Sequence, residues 1–385
     1  MMLLISRICI GFAIIVVIVV HGYTEKELRK HLKERLDKIK SDEEIHGFKL
    51  LQRIGKGSTG FVYKGILQLF IDDNDMALKF AAGEGRDKLY QEYKIYTYLH
   101  AIDKIGEPTN AERFGIPTLY YCDKWEKFLL MVISYLDGCD LINQVSKKKN
   151  FEEPIDSLIL FRDFVIQSKY IHSCGVRHDD IKPENIIIDN SGRSFLLDFD
   201  VSCKLKIKGN GTTPEYASRQ YHKDHIRNAA SDWESFLYTM CYINHVQLDW
   251  LFPKNKERYT LEECAKSKYD TDKTIATIQN TEFKSENLKE VILAFAREVF
   301  NNVSDFPDYE SMYTLICAKI KKMGKCPETA RYTWTSAPKA IPVPDLRKDI
   351  ISPDSINFDT FDYPTVDQNP GIVMIVIKTA QNMPK

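Results

Sequence analysis

Four polar residues of complementary chemistry lie in the middle of the chain, beside two short apolar runs. Asp180, Lys182 and Asn185 belong to the segment VRHDDIKPENIIID, and Asp198 belongs to the segment FLLDFD that follows it. A carboxylate can orient an attacking hydroxyl, a lysine can hold a phosphate, and carboxylate and amide oxygens are ligands for Mg²⁺. Together these residue types favour phosphoryl-transfer chemistry.

The two segments must be brought together by the fold if their residues act as one site. The apolar runs 186–188 and 195–197 flank an Asn-Ser-Gly turn at 190–192. Two short apolar runs around such a turn are typical of a β-hairpin. The pattern therefore predicts that Asn185 and Asp198 lie close together at the open end of a hairpin.

The spacing of these residues resembles two patterns of the protein kinase superfamily, H-R-D-x-K-P-x-N in the catalytic loop and D-F-G in the metal loop. The resemblance implies an α+β fold of two lobes, a small β-rich N-terminal lobe and a larger helical C-terminal lobe. It implies that Asp180 orients the acceptor hydroxyl, that Lys182 steadies the transferred phosphate, and that Asn185 and Asp198 hold Mg²⁺. Lys182 is typical of serine/threonine kinases, so we expect ATP with Mg as cofactors and Ser/Thr hydroxyls of protein substrates as acceptors.

Two positions depart from the family patterns. Asp179 replaces the arginine that commonly pairs with a phosphorylated activation loop, which predicts activity independent of loop phosphorylation. Asp200 replaces the glycine of the metal loop; it lacks the backbone freedom of glycine, but its carboxylate could contact a second metal ion. These departures leave an alternative open, a membrane-tethered pseudokinase scaffold that binds nucleotide or a protein partner.

A glycine-rich segment, FKLLQRIGKGSTGFVYKG, is similar to the loop with which kinases cover ATP. Glycine has no Cβ, so the backbone of such a loop can approach phosphate groups closely. The valine of the segment would pack on adenine. The residues that the resemblance assigns to nucleotide binding are Ile54, Gly55, Gly57, Gly60 and Val62.

The next strand and helix supply two further candidates. In DMALKFA, Lys79 lies where kinases have the lysine that contacts the α- and β-phosphates. Glu92 is the expected partner of Lys79, because it lies beside the apolar face of the helical pattern KLYQEYKIYTYL. Glu84, between two glycines, is assigned to a loop. The hinge between the lobes is expected at 133–138, with either of its first two residues guarding the back of the nucleotide pocket.

Three segments narrow the resemblance to the casein-kinase-one group, namely QEYKIYTYL, YAS in the activation segment and SDWES in a later helix. This group implies that Asp232 holds the backbone of the catalytic loop, and the family implies that Thr213 bridges the catalytic aspartate and lysine. We expect His178 to hold the loop rather than to act as a base. Alternating lysines in the activation segment either face an acidic or prephosphorylated substrate or belong to a solvated loop: Lys204, Lys206 and Lys208.

Composition excludes some classes of function. The formal charge is −1 and the charged fraction is 28%, so the chain has no basic excess of the kind that marks nucleic-acid binding. The nine cysteines form no C-x-x-C pair, which gives a zinc site little support. The composition therefore predicts no nucleic-acid partner and buried reduced thiols.

The N-terminus carries an uncharged run, ICIGFAIIVVIVV, over residues 8–20. The run is shorter than the ~20 residues that usually span a bilayer, which favours a signal peptide over residues 1–22. An uncleaved membrane anchor remains the alternative, and the lysines and arginines that follow would keep the kinase on the cytoplasmic side. The sequence thus predicts a membrane-associated or secretory protein, with a cytoplasmic location as the alternative.

The remaining segments complete the predicted organisation. A linker helix within residues 23–47 precedes a catalytic region at 48–326, and a proline-interrupted tail follows at 327–385. Glycosylation sequons at Asn210 and Asn302 are meaningful only in the secretory lumen. A glycan on Asn210 would lie inside the activation segment, which counts mildly against a lumenal kinase.

Overall fold

The structure is a computed structural model that describes residues 25–39, 43–57, 60–67, 75–101, 110–147, 150–204, 211–254, 258–302 and 304–335. The described chain divides into two compact units. The first comprises residues 25–90 and 120–133, and the second comprises residues 91–119 and 134–335. The chain first passes from one unit to the other within a helix, and it crosses again at 119–120 and at 133–134.

The first unit is built around a six-stranded sheet of order β1-β2-β3-β4-β6-β5. Its elements are α1 (Glu25–Asp37), β1 (Glu44–Ile45), β2 (Phe48–Lys56), β3 (Gly60–Leu67), β4 (Asp75–Ala81), the start of α2 (Glu84–Ala101), β5 (Leu119–Trp125) and β6 (Phe128–Ser134). Helix α2 begins at Glu84, so the assignment of this residue to a loop was wrong. Acidic residues in its first turn suit the positive end of the helix dipole.

Helix α1 belongs to the core of the first unit. Its leucines recur at helical spacing, and Leu32 and Leu36 are buried among Phe48, Leu78 and the other apolar residues of the sheet. Such a stripe forms a stable helix mainly by burying its apolar face. The segment predicted as a linker is therefore packed on the β-rich unit, and the sheet itself begins with β1, before residue 48.

Gly60 lies where two strands approach closely. It pairs with Ala81 across β3 and β4, and a Cβ added to Gly60 would overlap with the carbonyl oxygen of Phe80. We expect Gly60→Ala to force these strands apart and to lower the free energy of unfolding by about 1–3 kcal/mol, as overpacked sites do. Thermal unfolding of the purified variant would measure this change.

Gly55 provides a matched control within the same segment. A Cβ at Gly55 would lie 3.5 Å from the Cβ of Val62, which is ordinary contact. Gly55→Ala is therefore expected to unfold within about one degree of the parent, because well-tolerated substitutions change stability by less than ~0.5 kcal/mol. Equal melting temperatures for the two variants would contradict the close-approach explanation for Gly60.

The second unit is mainly helical. Its elements are the end of α2, α3 (Asn110–Arg113), β7 (Gly138–Asp140), α4 (Leu141–Ser146), α5 (Pro154–Ser173), β8 (Val176–Arg177), a 3₁₀ turn (Pro183–Asn185), β9 (Ile186–Asp189), β10 (Ser194–Leu196), β11 (Cys203–Lys204), α6 (Arg219–Asp224), α7 (Ala229–Ile243), α8 (Leu261–Lys268), α9 (Thr271–Asn280), α10 (Glu286–Asn301) and α11 (Tyr309–Lys322). A β-rich unit joined to a helical unit is the predicted α+β arrangement.

Aromatic side chains of α5, α7 and α10 form the core of this unit. Phe164 and Phe236 stack with ring centroids 3.7 Å apart, and Trp233 stacks on Phe295 at 4.5 Å. Large aromatic side chains dominate core energetics because each buries a large apolar area. The core fixes α5 and α7 relative to each other, and the catalytic loop follows directly after α5.

The chain remains packed on α5 beyond residue 326, where the sequence placed the start of the tail. The buried Arg162 donates to the carbonyl oxygens of Pro327 and Ala330 at 2.6 and 3.0 Å. Asp156 accepts a hydrogen bond from the backbone of Thr333 at 2.7 Å. Residues 327–335 therefore form part of the second unit.

Several predicted features fall outside the described residues. They are the N-terminal run at 8–20, the sequon at Asn210, Lys206, Lys208 and the tail from residue 336 onward. Within the described ranges, none of the helices combines the length and apolar character needed to cross a membrane. The prediction of a signal peptide or anchor over residues 1–22 stays a prediction.

Candidate active site

Asp180 lies at the centre of a dense group of hydrogen bonds in the second unit. One carboxylate oxygen accepts from the backbone N and the Oγ1 of Thr213, at 3.0 and 2.9 Å. The other accepts from Lys182 Nζ at 2.5 Å and from Asn185 Nδ2 at 3.2 Å. The carboxylate is thus held in one orientation by donors from both the catalytic loop and the activation segment, including the predicted bridge by Thr213.

Lys182 carries a positive charge into this group. Burial by itself lowers the pKa of Lys182, but the adjacent Asp180 carboxylate outweighs burial and the net shift is upward. The ammonium also donates to Thr213 Oγ1 at 2.8 Å. The lysine is therefore protonated at neutral pH and lies beside the carboxylate.

Asn185 and Asp198 lie at the open end of a hairpin, as the sequence predicted. Strands β9 and β10 pair antiparallel, with Ile186 opposite Leu196. The backbone N of Leu197 donates to the carbonyl oxygen of Asn185 at 2.8 Å, which brings the two loops side by side. Asp198 adopts a left-handed backbone conformation with φ of 69°, which turns the chain directly after the strand.

His178 holds these loops together, in the structural role that the sequence predicted. Its Nε2 lies 2.9 Å from the carbonyl oxygen of Leu197, and its ring centroid lies 4.6 Å from that of Phe199. Tyr96, from α2, packs edge-on against Phe199 at 5.4 Å. The stack of Tyr96, Phe199 and His178 joins the helix to both loops, and the contribution of Tyr96 was not predicted.

Asp232 fixes the backbone of the catalytic loop from α7. Its carboxylate accepts hydrogen bonds from the backbone N of His178 and of Asp179 at 2.8 and 2.9 Å. His172, which the sequence analysis missed, lies 2.9 Å from the same carboxylate and 2.7 Å from the hydroxyl of Tyr309. Its position in the last turn of the helix that leads into the catalytic loop was the available signal.

Asp179 forms a buried ion-pair cluster with two arginines. Its carboxylate pairs with Arg177 at 2.9 Å and with Arg227 at 3.2 Å, and all three side chains are almost completely buried. Arg227 also donates to the carbonyl oxygens of Asp179 and of Gly211, in the activation segment. Burial raises the pKa of Asp179, although both arginines oppose this shift.

The predicted nucleotide residues of the first unit lie on three adjacent strands. Val62, on β3, is opposite Gly55 on β2 and opposite Lys79 on β4. Ile54 is exposed, and the backbone N of Gly57 donates to the carbonyl oxygen of Gly60 at 3.0 Å. The strand register thus places Gly55, Val62 and Lys79 in one row across the sheet.

Glu92 belongs to the second unit and is almost completely buried, with 1% of its surface exposed. It lies on α2 near Tyr96, and its charge contributes to the raised pKa of the Tyr96 hydroxyl, of which burial is the main cause. A carboxylate is buried in this way only when it has partners. Its predicted pairing with Lys79 stays a prediction.

Comparisons with known proteins agree with this geometry. The chain is 29% identical over 204 residues to serine/threonine-protein kinase Sgk1 of Fundulus heteroclitus, covering 51% of this chain and 45% of that protein. It is 26% identical to a probable casein kinase I homolog of Encephalitozoon cuniculi, covering 54% of this chain and 66% of that protein. The chain spans about half the length of the first curated relatives that it matches.

A solved structure of vaccinia related kinase 3 has the same fold, with a TM-score of 0.55 at 17% identity, covering 79% of this chain and 98% of that chain. The comparisons support the predicted two-lobed fold and the likeness to the casein-kinase-one group. The family model named protein kinase domain matches residues 48–302. With that match over most of its length, the chain belongs to the protein kinase family.

Proposed function

We propose that the protein transfers the γ-phosphate of ATP to serine and threonine hydroxyls of protein substrates. The observation that carries this proposal is the Asp180 carboxylate, held by Lys182, Asn185 and Thr213 in a fixed orientation. Phosphoryl transfer asks a protein mainly for positioning and electrostatic stabilisation, and this group supplies both. Sgk1, described above, is named a serine/threonine-protein kinase, which supports the choice of acceptor.

In the proposed reaction, Asp180 accepts a hydrogen bond from the substrate hydroxyl and takes up its proton late in the transfer. Lys182 lies within hydrogen-bond distance of Asp180, so its charge is available to the phosphate that moves between nucleotide and hydroxyl. Thr213 fixes the carboxylate from the opposite side. The side chains therefore need little reorganisation during the reaction.

The residues present fit a Mg²⁺ ion and ATP. Asp198 offers a carboxylate, and Asn185, whose amide nitrogen donates to Asp180, is left with an amide oxygen for a metal. When bound, MgATP supplies the transferable phosphoryl group with its charge partly neutralised. Ile54, Gly55, Gly57, Gly60 and Val62 would cover the nucleotide, and Lys79 with Glu92 would hold its phosphates.

The Asp179 cluster supports activity without phosphorylation of the activation segment. In a kinase switched by phosphorylation, an arginine beside the catalytic aspartate binds the new phosphate. Here Arg177 and Arg227 both pair with Asp179, and Arg227 already contacts the carbonyl oxygen of Gly211. The segment is thus tied to the catalytic loop by an arginine that is already paired with a carboxylate.

The test is transfer of labelled γ-phosphate from MgATP to casein and to a mixed Ser/Thr peptide library. The assay should use phosphatase-treated protein, with Asp180→Asn in parallel. We expect transfer by the parent that is lost in the variant. If the parent binds nucleotide but transfers no more phosphate than Asp180→Asn does, the result would instead support the pseudokinase scaffold that Asp179 and Asp200 suggest.

Membrane association is proposed for the N-terminal run alone. Residues 8–20 are uncharged and apolar, and basic residues follow them. Expression of the full chain and of a chain lacking residues 1–22, followed by fractionation, would test this. We expect the full chain in the membrane fraction or secreted and the shortened chain in the soluble fraction. An identical distribution of the two would contradict the proposal.

A further inference from the structure

Lys268, at the end of α8, is completely buried, and its ammonium group has two backbone acceptors. Nζ donates to the carbonyl oxygens of Pro214 and Ala217, each at 2.7 Å, and lies 3.3 Å from Nε2 of His222. The two carbonyl oxygens accept from two of the three N–H groups of the ammonium. Both acceptors belong to the backbone of the activation segment.

The segment that Lys268 holds begins at the catalytic group. Thr213 contacts Asp180 and Lys182, and its carbonyl oxygen accepts from the backbone N of Tyr216 and of Ala217, which makes a tight turn. Pro214 and Glu215, which follow Thr213, are partly exposed beside this group, so a peptide whose hydroxyl reaches Asp180 can contact them. Residues 213–217 are thus fixed at one end by the catalytic group and at the other by Lys268.

We propose that Lys268 is a positioning residue for the protein substrate, which holds residues 214–217 in the conformation that a peptide binds. This inference rests on the proposed kinase function and adds a determinant of substrate affinity to it. The A-P-E sequence that commonly ends this segment is missing, and Ser218, Arg219 and Gln220 stand in its place. The lysine takes over the anchoring from outside the segment.

The surroundings of Lys268 argue against a role in packing alone. Burial of a charged group is expensive unless hydrogen bonds and charges compensate it, and an apolar side chain would fill the site without that penalty. The ammonium lies 4.7 Å from the ring centroid of Tyr238 and 5.8 Å from that of Trp250, which gives favourable cation–π contacts. The charge is therefore accommodated by dedicated neighbours.

The titratable groups around Lys268 make its charge sensitive to pH. Burial lowers its pKa to about 7, while Cys264, Glu234 and Glu215 oppose this shift. The pKa of His222 is lowered to about 3, first by burial and then by Lys268, while a hydrogen bond to the backbone of Pro214 opposes the shift, so the imidazole is neutral over the range in which Lys268 titrates. Below pH 7 the lysine is charged and its bonds to the carbonyl oxygens are strong; above pH 7 they weaken.

The decisive variant is Lys268→Met, which keeps the length of the side chain and removes the ammonium. Loss of a charge-assisted hydrogen bond corresponds to roughly a tenfold change in affinity, so we expect the peptide KM to rise about tenfold at pH 6.5 while the KM for ATP is unchanged. Raising the pH to 8.5 should increase the peptide KM of the parent severalfold, because Lys268 loses its proton. The peptide KM of Lys268→Met should be the same at both pH values, because the variant has no ammonium group to lose its proton.

Lys169→Met is the matched control, because Lys169 is also a buried lysine, paired with Glu310 on α11. It should leave the peptide KM unchanged.

Amide hydrogen exchange supplies a readout that needs no activity: exchange at Tyr216 and Ala217 should accelerate in Lys268→Met and not in Lys169→Met. If the parent transfers no phosphate, the kinase proposal fails, while the exchange result still decides the role of Lys268.

Three results would overturn the inference. They are unchanged exchange in residues 214–217, a peptide KM equal to that of the parent at both pH values, or the same effects in Lys169→Met. Should Lys268→Met fail to fold, Lys268→Arg retains a cation above pH 7. Its peptide KM should then be independent of pH, and a step at pH 7 like that of the parent would contradict the inference.

Discussion

Replacement of Asp180 by asparagine is expected to lower kcat for peptide phosphorylation by about 10²- to 10⁴-fold, the range in which positioned acid–base groups contribute. Asparagine has nearly the same size as aspartate, so the loop should keep its shape. It has no negative charge and cannot accept the proton of the substrate hydroxyl. The KM for ATP should change little, because the residues proposed to cover the nucleotide and to hold its α- and β-phosphates lie elsewhere in the chain.

The hydrogen bonds around Asp180 sharpen this expectation. Both of its carboxylate oxygens accept from donors, Thr213 on one side and Lys182 with Asn185 on the other. An asparagine has one acceptor oxygen and one NH₂ group, so one side must place donor against donor. Asp180→Asn should therefore also lose hydrogen bonds on one of these two sides.

Initial-rate kinetics with a Ser/Thr peptide would measure the change in kcat, and nucleotide binding would be followed separately. Asp249→Asn is the control, because Asp249 is half-exposed and forms a surface pair with Lys273 at 2.8 Å. Exposed pairs of this kind contribute little to stability, so this variant should match the parent. If Asp180→Asn keeps more than a tenth of the parental kcat, Asp180 does not have the proposed role.

The catalytic group was predictable because its residues are close in sequence and obey local rules. Asp180, Lys182 and Asn185 occupy one loop, and a single hairpin turn brings Asp198 to it. The bridge by Thr213 was predictable only through the family resemblance. No periodicity or spacing rule links positions 180 and 213, whose hydrogen bonds depend on how the whole activation segment folds.

Contacts between distant parts of the chain were not predictable. Nothing in the sequence around Arg227 or Lys268 distinguishes them from exposed basic residues, yet both are buried against the activation segment. Helix α1 shows the same limit in another way. Its leucine stripe predicted a helix packed on the small lobe, but the stripe does not identify the residues that cover it, which include Phe48 and Leu78 of the β-rich unit.

The buried Asp179 cluster predicts a large effect on stability. Arg227→Met would keep most of the apolar volume and remove one of the two cations that face the carboxylate. Removal of one partner from a buried ion pair costs about 3–5 kcal/mol. Arg177 stays on the carboxylate, so we expect the lower end of this range, about 3 kcal/mol, with the carbonyl oxygens of Asp179 and Gly211 also losing their donor. For a domain of this size, that loss lowers the melting temperature by about 10 °C.

Arg258→Met is the control for this change. Arg258 also forms an ion pair, with Glu215 at 2.9 Å, but its side chain is 74% exposed. Solvent screens such a pair, so the melting temperature should stay within about one degree of the parent. A similar loss of stability in both variants would mean that the two pairs contribute alike and that burial of the Asp179 cluster has no special effect.

A second variant and a pH series separate charge from packing at this cluster. Adding Asp179→Asn to Arg227→Met takes the carboxylate away from the buried Arg177, so the double variant should be less stable than Arg227→Met alone. Burial raises the pKa of Asp179, and loss of Arg227 raises it further, because that arginine opposes the shift. The destabilisation should therefore be complete above the raised pKa, where the carboxylate is charged, and should shrink as the pH falls through it. Melting temperatures at pH 8 and pH 5.5 would show a larger difference from the parent at pH 8, whereas a difference independent of pH would indicate lost packing around Arg227.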